Sequence, residues 1–262
     1  MTNLKGFLGA AGCAAVAAIG MSSAALADGD GERKFGYSIA ITGTSDYIFR
    51  GISFNNEDPA FQPFIEFTYG TPNLTWYLDF WGSNIAEPFG PFELDIYAGV
   101  RPVTGPVSWD LGVLYYTYPN NSIPGSSEGD YVEFKIAASI TPVTNLTTGL
   151  TGYYTPDQGA NYGETWTIEG NAAYTLPNFH IFTPVISGAV GYTAGTRNEE
   201  GLVSICACEA DNYVYWNAGL KLTVDKYFMD FRYWDTNLSR SDGIDTSFTD
   251  SRFVFTAGVN LP

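Results

Sequence analysis

The stretch Phe92-Glu93-Leu94-Asp95-Ile96-Tyr97-Ala98-Gly99-Val100-Arg101 changes character at almost every residue. Phe92, Leu94, Ile96, Ala98 and Val100 share one parity, and Glu93, Asp95, Tyr97 and Arg101 the other. Side chains of a strand point to opposite faces in turn, so this segment reads as a strand with one apolar and one polar face. The rhythm recurs on both sides of it. Leu74, Trp76, Leu78 and Phe80 oppose Thr75, Tyr77, Asp79 and Trp81. Val132, Phe134, Ile136, Ala138 and Ile140 oppose Tyr131, Glu133, Lys135 and Ser139, and Phe253, Phe255, Ala257, Val259 and Leu261 oppose Arg252, Thr256 and Asn260. Twelve such stretches can be read: 35–49, 60–70, 74–84, 92–101, 107–118, 130–141, 146–154, 165–175, 181–193, 213–224, 226–236 and 251–261.

One apolar face per strand has two solutions. A soluble sandwich turns it inward, and a membrane barrel turns it outward to lipid. The connections discriminate. Those after even-numbered stretches are brief, such as Thr71-Pro72-Asn73 and Asp225, whereas those after odd-numbered stretches run over 50–59, 85–91, 119–129, 155–164, 194–212 and 237–250. An up-and-down barrel separates short turns from long loops in this way, and a Greek-key sandwich has no reason to. Aromatic residues on the apolar parity also gather at the strand ends. Tyr37, Tyr69, Trp76, Trp109, Tyr174, Phe182 and Tyr227 fall near the short turns. Tyr47, Phe49, Phe61, Phe92, Tyr154, Trp166, Tyr192, Tyr233 and Phe253 fall near the long loops. Two such girdles match the two interfaces of a bilayer. The expected fold is therefore all-β, a transmembrane up-and-down antiparallel β-barrel of twelve strands over residues 35–262, after a flexible lead-in at 28–34.

The chain begins as an exported protein would. Lys5 precedes a small apolar run over 6–20, and Ala25-Leu26-Ala27 has the small-residue form of a cleavage site, so residues 1–27 read as a signal peptide. No later segment reaches the roughly 18 uninterrupted apolar residues of a helical span. Charged residues make up 15% of the sequence and aromatics 16%, and the formal net charge is −16. So acidic a chain is unsuited to nucleic acid, whose phosphates require a basic face.

Several words in the first half resemble a known family. These are Ser45-Asp46-Tyr47-Ile48-Phe49-Arg50-Gly51-Ile52-Ser53, Asp58-Pro59-Ala60 with Gln62, Trp81-Gly82-Ser83-Asn84, Glu93 to Gly99, and Tyr115-Tyr116-Thr117-Tyr118-Pro119. Together they resemble the TorF-type porin family, formerly a bacterial family of unknown function. The resemblance implies an outer-membrane barrel of a Gram-negative bacterium that acts as a channel. It brings no substrate and no catalytic residue.

The polar parity defines the expected lumen. Its pore-lining charges are Asp46, Arg50, Glu66, Asp79, Glu93, Asp95, Arg101, Glu133, Lys135, Asp230, Arg232 and Arg252, joined by Asp110, Glu169 and Lys221. Charges inside a barrel must be paired or wet. They can form an ion-pair lattice that fixes register, a weakly cation-preferring pore, or both. Trp81, Tyr116, Tyr118, Tyr131, Tyr153, Tyr213, Tyr215 and Trp234 form an aromatic mouth at the long-loop end. These rings either pack the undersides of folded loops or make a vestibule for flat or sugar-like solutes.

Other signals carry less. Cys206 and Cys208 form a possible local disulfide, because residues two apart in a strand lie about 6.6 Å apart and a turn shortens this. No metal site or cofactor is expected. The sequence Gly125-Ser126-Ser127-Glu128-Gly129 matches a nucleophile motif, yet it sits in a Ser/Gly-rich loop and the lone His180 falls at the opposite end. No enzyme activity is expected. Acidic loops carrying Glu57, Asp58, Glu199, Glu200, Glu209, Asp211 and Asp242 suit solvation, or cation-bridged contact with lipopolysaccharide. Expected partners are outer-membrane lipids, lipopolysaccharide and small solutes or ions. A narrow channel is the expected function, with a non-conducting surface barrel and a soluble secreted β-protein as rivals.

Overall fold

The structure is a computed structural model, described over residues 33–86, 90–119, 130–157, 163–196, 212–239 and 246–262. Its strands are β1 (Lys34–Thr44), β2 (Ile48–Phe49), β3 (Ile52–Ser53), β4 (Ala60–Thr71), β5 (Leu74–Asn84), β6 (Phe92–Thr104) and β7 (Val107–Thr117). They continue as β8 (Tyr131–Val143), β9 (Leu146–Thr155), β10 (Thr165–Thr175), β11 (Thr183–Gly195), β12 (Asn212–Val224), β13 (Tyr227–Thr236) and β14 (Arg252–Leu261). Twelve of them form one closed antiparallel barrel in which each strand pairs with its neighbour in sequence, except that β1 pairs directly with β4. Strands β1 and β14 close the cylinder, from Ile39 opposite Leu261 to Thr44 opposite Thr256. Strands β2 and β3 form a separate two-stranded sheet.

The alternation sorts the side chains as the pattern predicts. Phe35, Tyr37, Trp76, Trp166, Phe231 and Phe253 lie on the outer surface, with Leu78, Val113, Ile136, Leu150 and Val190 among the aliphatics also exposed there. Thr42, Glu66, Asp79, Asp95, Glu133, Glu169 and Asp230 are buried within. This surface is inside-out relative to a water-soluble protein, whose largest exposed apolar patch seldom exceeds a few hundred Å². Hydrocarbon around the cylinder removes that cost, and ring closure leaves no unpaired strand edge in lipid.

The tight turns are conformationally specific. Asn145 and Asp225 take left-handed backbone (φ 68 and 51) between β8 and β9 and between β12 and β13. Asn and Asp tolerate that region better than other side chains. The β8–β9 ladder shifts register between Ile140 and Val143, around Pro142, which has no N–H to donate. Several connections differ from the sequence reading. Strand β6 extends to Thr104, so the next turn is shorter than 102–106. Strand β11 starts at Thr183, because Phe179 and Phe182 exchange backbone hydrogen bonds of 3.0 and 2.9 Å and hold His180 in a separate turn.

The larger correction concerns the first predicted strand, 35–49. It ends at Thr44. Tyr47 and Phe49, expected on the outer girdle, are buried at 0% and 7% exposure.

Candidate functional site: a hairpin seated in the barrel mouth

After Thr44 the chain leaves the wall and turns into the barrel. The Ser45 amide donates to the Phe255 carbonyl at 2.8 Å, and the Phe255 amide donates to Ser45 Oγ at 3.0 Å. Ile48 and Phe49 then pair with Ser53 and Ile52. The two residues between them, Arg50 and Gly51, both have positive φ (48 and 85). That is the type I′ geometry of a two-residue hairpin, in which glycine at the second central position costs little and arginine at the first is strained.

The tip spans the mouth. A Cβ added at Gly51 would lie 2.4 Å from Thr236 Cγ2 and 2.8 Å from Tyr215 Cβ, so the turn rests on β12 and β13. Arg50 reaches the wall at β8 and β9. Its guanidinium donates to both Glu133 carboxylate oxygens at 2.8 and 2.9 Å and stacks 4.7 Å from the rings of Phe49 and Tyr153. Glu133 also accepts from Tyr116 at 3.1 Å and Thr155 at 3.0 Å. Burial works against the Arg50 charge, but the Glu133 carboxylate and the surrounding tyrosine oxygens outweigh it and hold the guanidinium more firmly protonated than usual.

The root of the hairpin is polar. Ser53 donates to Asp46 at 2.7 Å, and Arg252 donates to Asp46 at 2.9 Å and lies 3.3 Å from Glu57. Burial raises the Asp46 carboxyl above its ordinary range, although Ser53 and Arg252 pull it back. The hairpin body is apolar and divides the mouth in two. Tyr47, Phe49 and Phe54 pack with Trp81, Tyr116, Tyr118 and Tyr131 on one side. Ile48 and Ile52 pack with Tyr213, Tyr215 and Trp234 on the other. Tyr153 lies beneath Arg50. All eight rings of the expected aromatic mouth are thus buried around this loop.

Deeper in the barrel the expected lumen charges fall into groups. Arg101 lies 2.5 Å from Glu66, 3.6 Å from Asp110 and 3.8 Å from Asp79, with Tyr77 stacked against it at 4.0 Å. Lys135 joins this group through Asp110 at 2.9 Å. Arg232 pairs with Asp230 at 3.0 Å and donates to Asn217 and Ser187 at 2.6 and 2.9 Å. Glu169 accepts from Tyr215 at 2.7 Å. Glu93 and Asp95 differ from the rest. Glu93 accepts from Tyr118 at 3.1 Å and Asp95 from the Tyr97 hydroxyl, and no basic side chain pairs with either among the described residues.

The sequence reading missed the hairpin and the surfaces that receive the large lumen side chains. Tyr77 lies over Gly112 and Gly99, Tyr215 over Gly191, Phe228 over Gly258, and Arg232 over Gly219. The hairpin carried only a faint signal: Phe49-Arg50-Gly51-Ile52 places Gly at the second turn position between apolar residues, but with Arg where Asn, Asp or Gly marks a two-residue turn. Cys206, Cys208, the 125–129 motif, the signal segment 1–27 and most acidic-loop residues lie outside the described residues. His180 sits at the short-turn end, and no group of three or more His, Cys, Asp or Glu side chains able to hold a metal occurs among the described residues.

The sequence matches, over residues 26–258, the family described as "Bacterial protein of unknown function (Gcw_chp)". The chain belongs to the Gcw_chp family. No curated protein matches it in sequence. Among solved structures it is similar to the NanC porin, with a TM-score of 0.53 at 10% identity, covering 86% of this chain and 99% of that one. A second structure, from a study of in-meso crystallization of membrane proteins, gives 0.51 at 12% identity, covering 86% of this chain and 83% of that one. LpxR from Salmonella typhimurium gives 0.48 at 9% identity, covering 86% of this chain and 99% of that one. At such identities the first two likenesses speak for the barrel fold alone.

Proposed function

We propose that this Gcw_chp protein is an outer-membrane channel passing ions or small solutes through a narrow, weakly cation-preferring pore, with no chemistry of its own. The observation that carries the reading is the closed inside-out barrel with an acid-rich interior. Its inward-facing acids outnumber its inward-facing bases, which supports a weak preference for cations. Twelve strands make a cylinder narrower than the 16–18-stranded porins. Inward rings and the Arg101 group reduce the bore further, which favours small solutes over general diffusion. The resemblance to the TorF-type porin family supports the same reading, and so does the exported character of residues 1–27.

The test is planar-bilayer recording of the purified barrel in a potassium chloride gradient, with small sugars as blockers. Stepwise conductance and a reversal potential displaced toward the potassium equilibrium value are expected. Carbonate extraction of membranes tests location: the protein should stay in the pellet. A second reading is favoured by the hairpin itself, which fills the mouth. In that reading the barrel does not conduct and serves as a surface protein, binding lipopolysaccharide or another partner through its acidic outer loops. A complete absence of conductance steps would favour it.

A further inference from the structure

The hairpin is attached to the barrel unevenly. One root is bonded to the wall, from Ser45 to the Phe255 carbonyl at 2.8 Å, and the other to the connection after β5, from Ala86 to the Phe54 carbonyl at 3.0 Å. Between these roots, among the described residues, the backbone of 48–53 bonds only within the loop. The barrel strands, by contrast, are held by continuous ladders. The tip can therefore leave the wall without breaking any barrel backbone hydrogen bond described here.

What holds the tip is a set of side chains, and among the described residues only one contact is ionic, Arg50 on Glu133. Arg50 also takes φ 48 in the turn of the hairpin itself, which aims its side chain at the β8–β9 wall. On withdrawal the guanidinium would regain water. Glu133 would keep its hydrogen bonds from Tyr116 and Thr155, so the wall has a satisfied arrangement in both states. A bistable element of this kind is what a gate requires.

We propose that the β2–β3 hairpin is a hinged gate, latched by Arg50 on Glu133, whose withdrawal opens the pore and uncovers Tyr116, Tyr153, Tyr213 and Tyr215 to entering solute. This rests on the channel reading above, and the experiment separates the two. Single-channel currents are compared for the native protein, Glu133→Gln, Arg50→Gly, and a variant in which residues 48–53 are replaced by a Gly-Ser linker of equal length. Arg50→Gly removes the latch while keeping a residue suited to the turn and leaving the wall intact, so it serves if Glu133→Gln does not fold. Heat-modifiable gel mobility checks that each barrel has formed.

The native protein should be closed most of the time. The two latch variants should raise open probability on the order of tenfold or more, since loss of one partner of a buried pair is strongly unfavourable to the docked state. The linker variant should stay open. If all four conduct alike, the gate is overturned and the channel reading stands. If the linker variant conducts steadily while both latch variants behave as native, Arg50 is not the latch and the proposal fails. If a folded linker variant passes no current, the channel reading fails and the gate with it.

Discussion

The two walls of the lumen are built to different rules. On β4–β8 the inward side chains are long and charged: Glu66, Asp79, Arg101, Asp110 and Lys135 meet across strands, with Tyr77 packed between them. On β9–β11 they are mostly short and neutral: Thr151, Thr155, Thr165, Thr167 and Thr193, with Tyr153 at the mouth the large exception and Glu169 the charged one. Toward the short turns this second wall carries Thr147, Gly149, Asn171, Ala173 and Ser187, which are half-buried, whereas Glu66, Asp79 and Asp110 opposite are buried. Long side chains of one wall thus face short ones on the other, except where Tyr215 and Arg232 lean onto β10 and β11. Any solute path should therefore run off-centre, along β9–β11, with the charged wall acting as a rigid, polarising backing.

The largest expected effect comes from breaking the charged wall. Arg101→Ala would leave Glu66 and Asp79 without their cation and Asp110 with Lys135 alone. Removing one partner from a buried ionic group costs about 3–5 kcal/mol. Urea unfolding of the barrel in lipid vesicles should show a clearly lower midpoint. A midpoint within error of the native value would mean that this network is hydrated and contributes little, and the contrast between the walls would collapse.

The second effect tests how large side chains are seated on the neutral side. An added methyl at Gly191 would lie 2.1–2.4 Å from atoms of the Tyr215 ring, whereas one at Gly170 meets nothing within 4 Å. Gly191→Ala should destabilise by about 1–3 kcal/mol through overpacking and displace Tyr215 from Glu169. Gly170→Ala should lie within about 0.5 kcal/mol of native. The same unfolding measurement reports both, and equal effects would contradict the seating.

These features differ in how far the sequence reveals them. Period-two patterning is a local property, so β5 and β10 could be read as 74–84 and 165–175, the bounds the structure gives them. Parity likewise separates the outer face from the inner one at Leu78 and Asp79. It does not say which inner charges meet, because that depends on register between strands. Arg101 reaches Glu66, Asp79 and Asp110 only because β4, β5, β6 and β7 are aligned as they are. The hairpin was misread for a related reason. Alternation continues through Tyr47 and Phe49 whether the chain climbs the wall or folds inward, and only the Arg50-Gly51 turn distinguishes the two. Nor does local pattern explain glycines such as Gly191, because the ring that covers it belongs to β12.

A smaller effect sharpens the neutral wall. Thr167 and Thr193 share a hydroxyl hydrogen bond of 2.9 Å between β10 and β11. Thr167→Ala should cost about 0.5–1.5 kcal/mol, well below Arg101→Ala. A double-mutant cycle with Thr193→Ala should give a coupling of similar size. No coupling would mean that each hydroxyl is served by water and that this wall is wetter than its packing suggests.

The smallest effect is pH-dependent and concerns the hairpin root, held against β14 rather than against either of the two walls. Asp46 faces Ser53, Arg252 and Glu57. Burial raises its carboxyl in the docked loop, and the charge of Glu57 adds to this, while Ser53 and Arg252 oppose it. Withdrawal of the hairpin body, with Ser53, should let water reach Asp46 at the fixed root and bring its carboxyl toward the ordinary value of about 3.9. Between these two values the docked loop holds more protons than the withdrawn one, so docking strengthens as pH falls. That gain is complete below the ordinary value and is lost as pH rises through the raised one. Open probability should therefore decline modestly on acidification from about pH 7 to about pH 4, and Asp46→Asn should flatten the decline. A native channel that opened on acidification would mean that loss of the Asp46–Arg252 pair, and not burial of the carboxyl, governs the root.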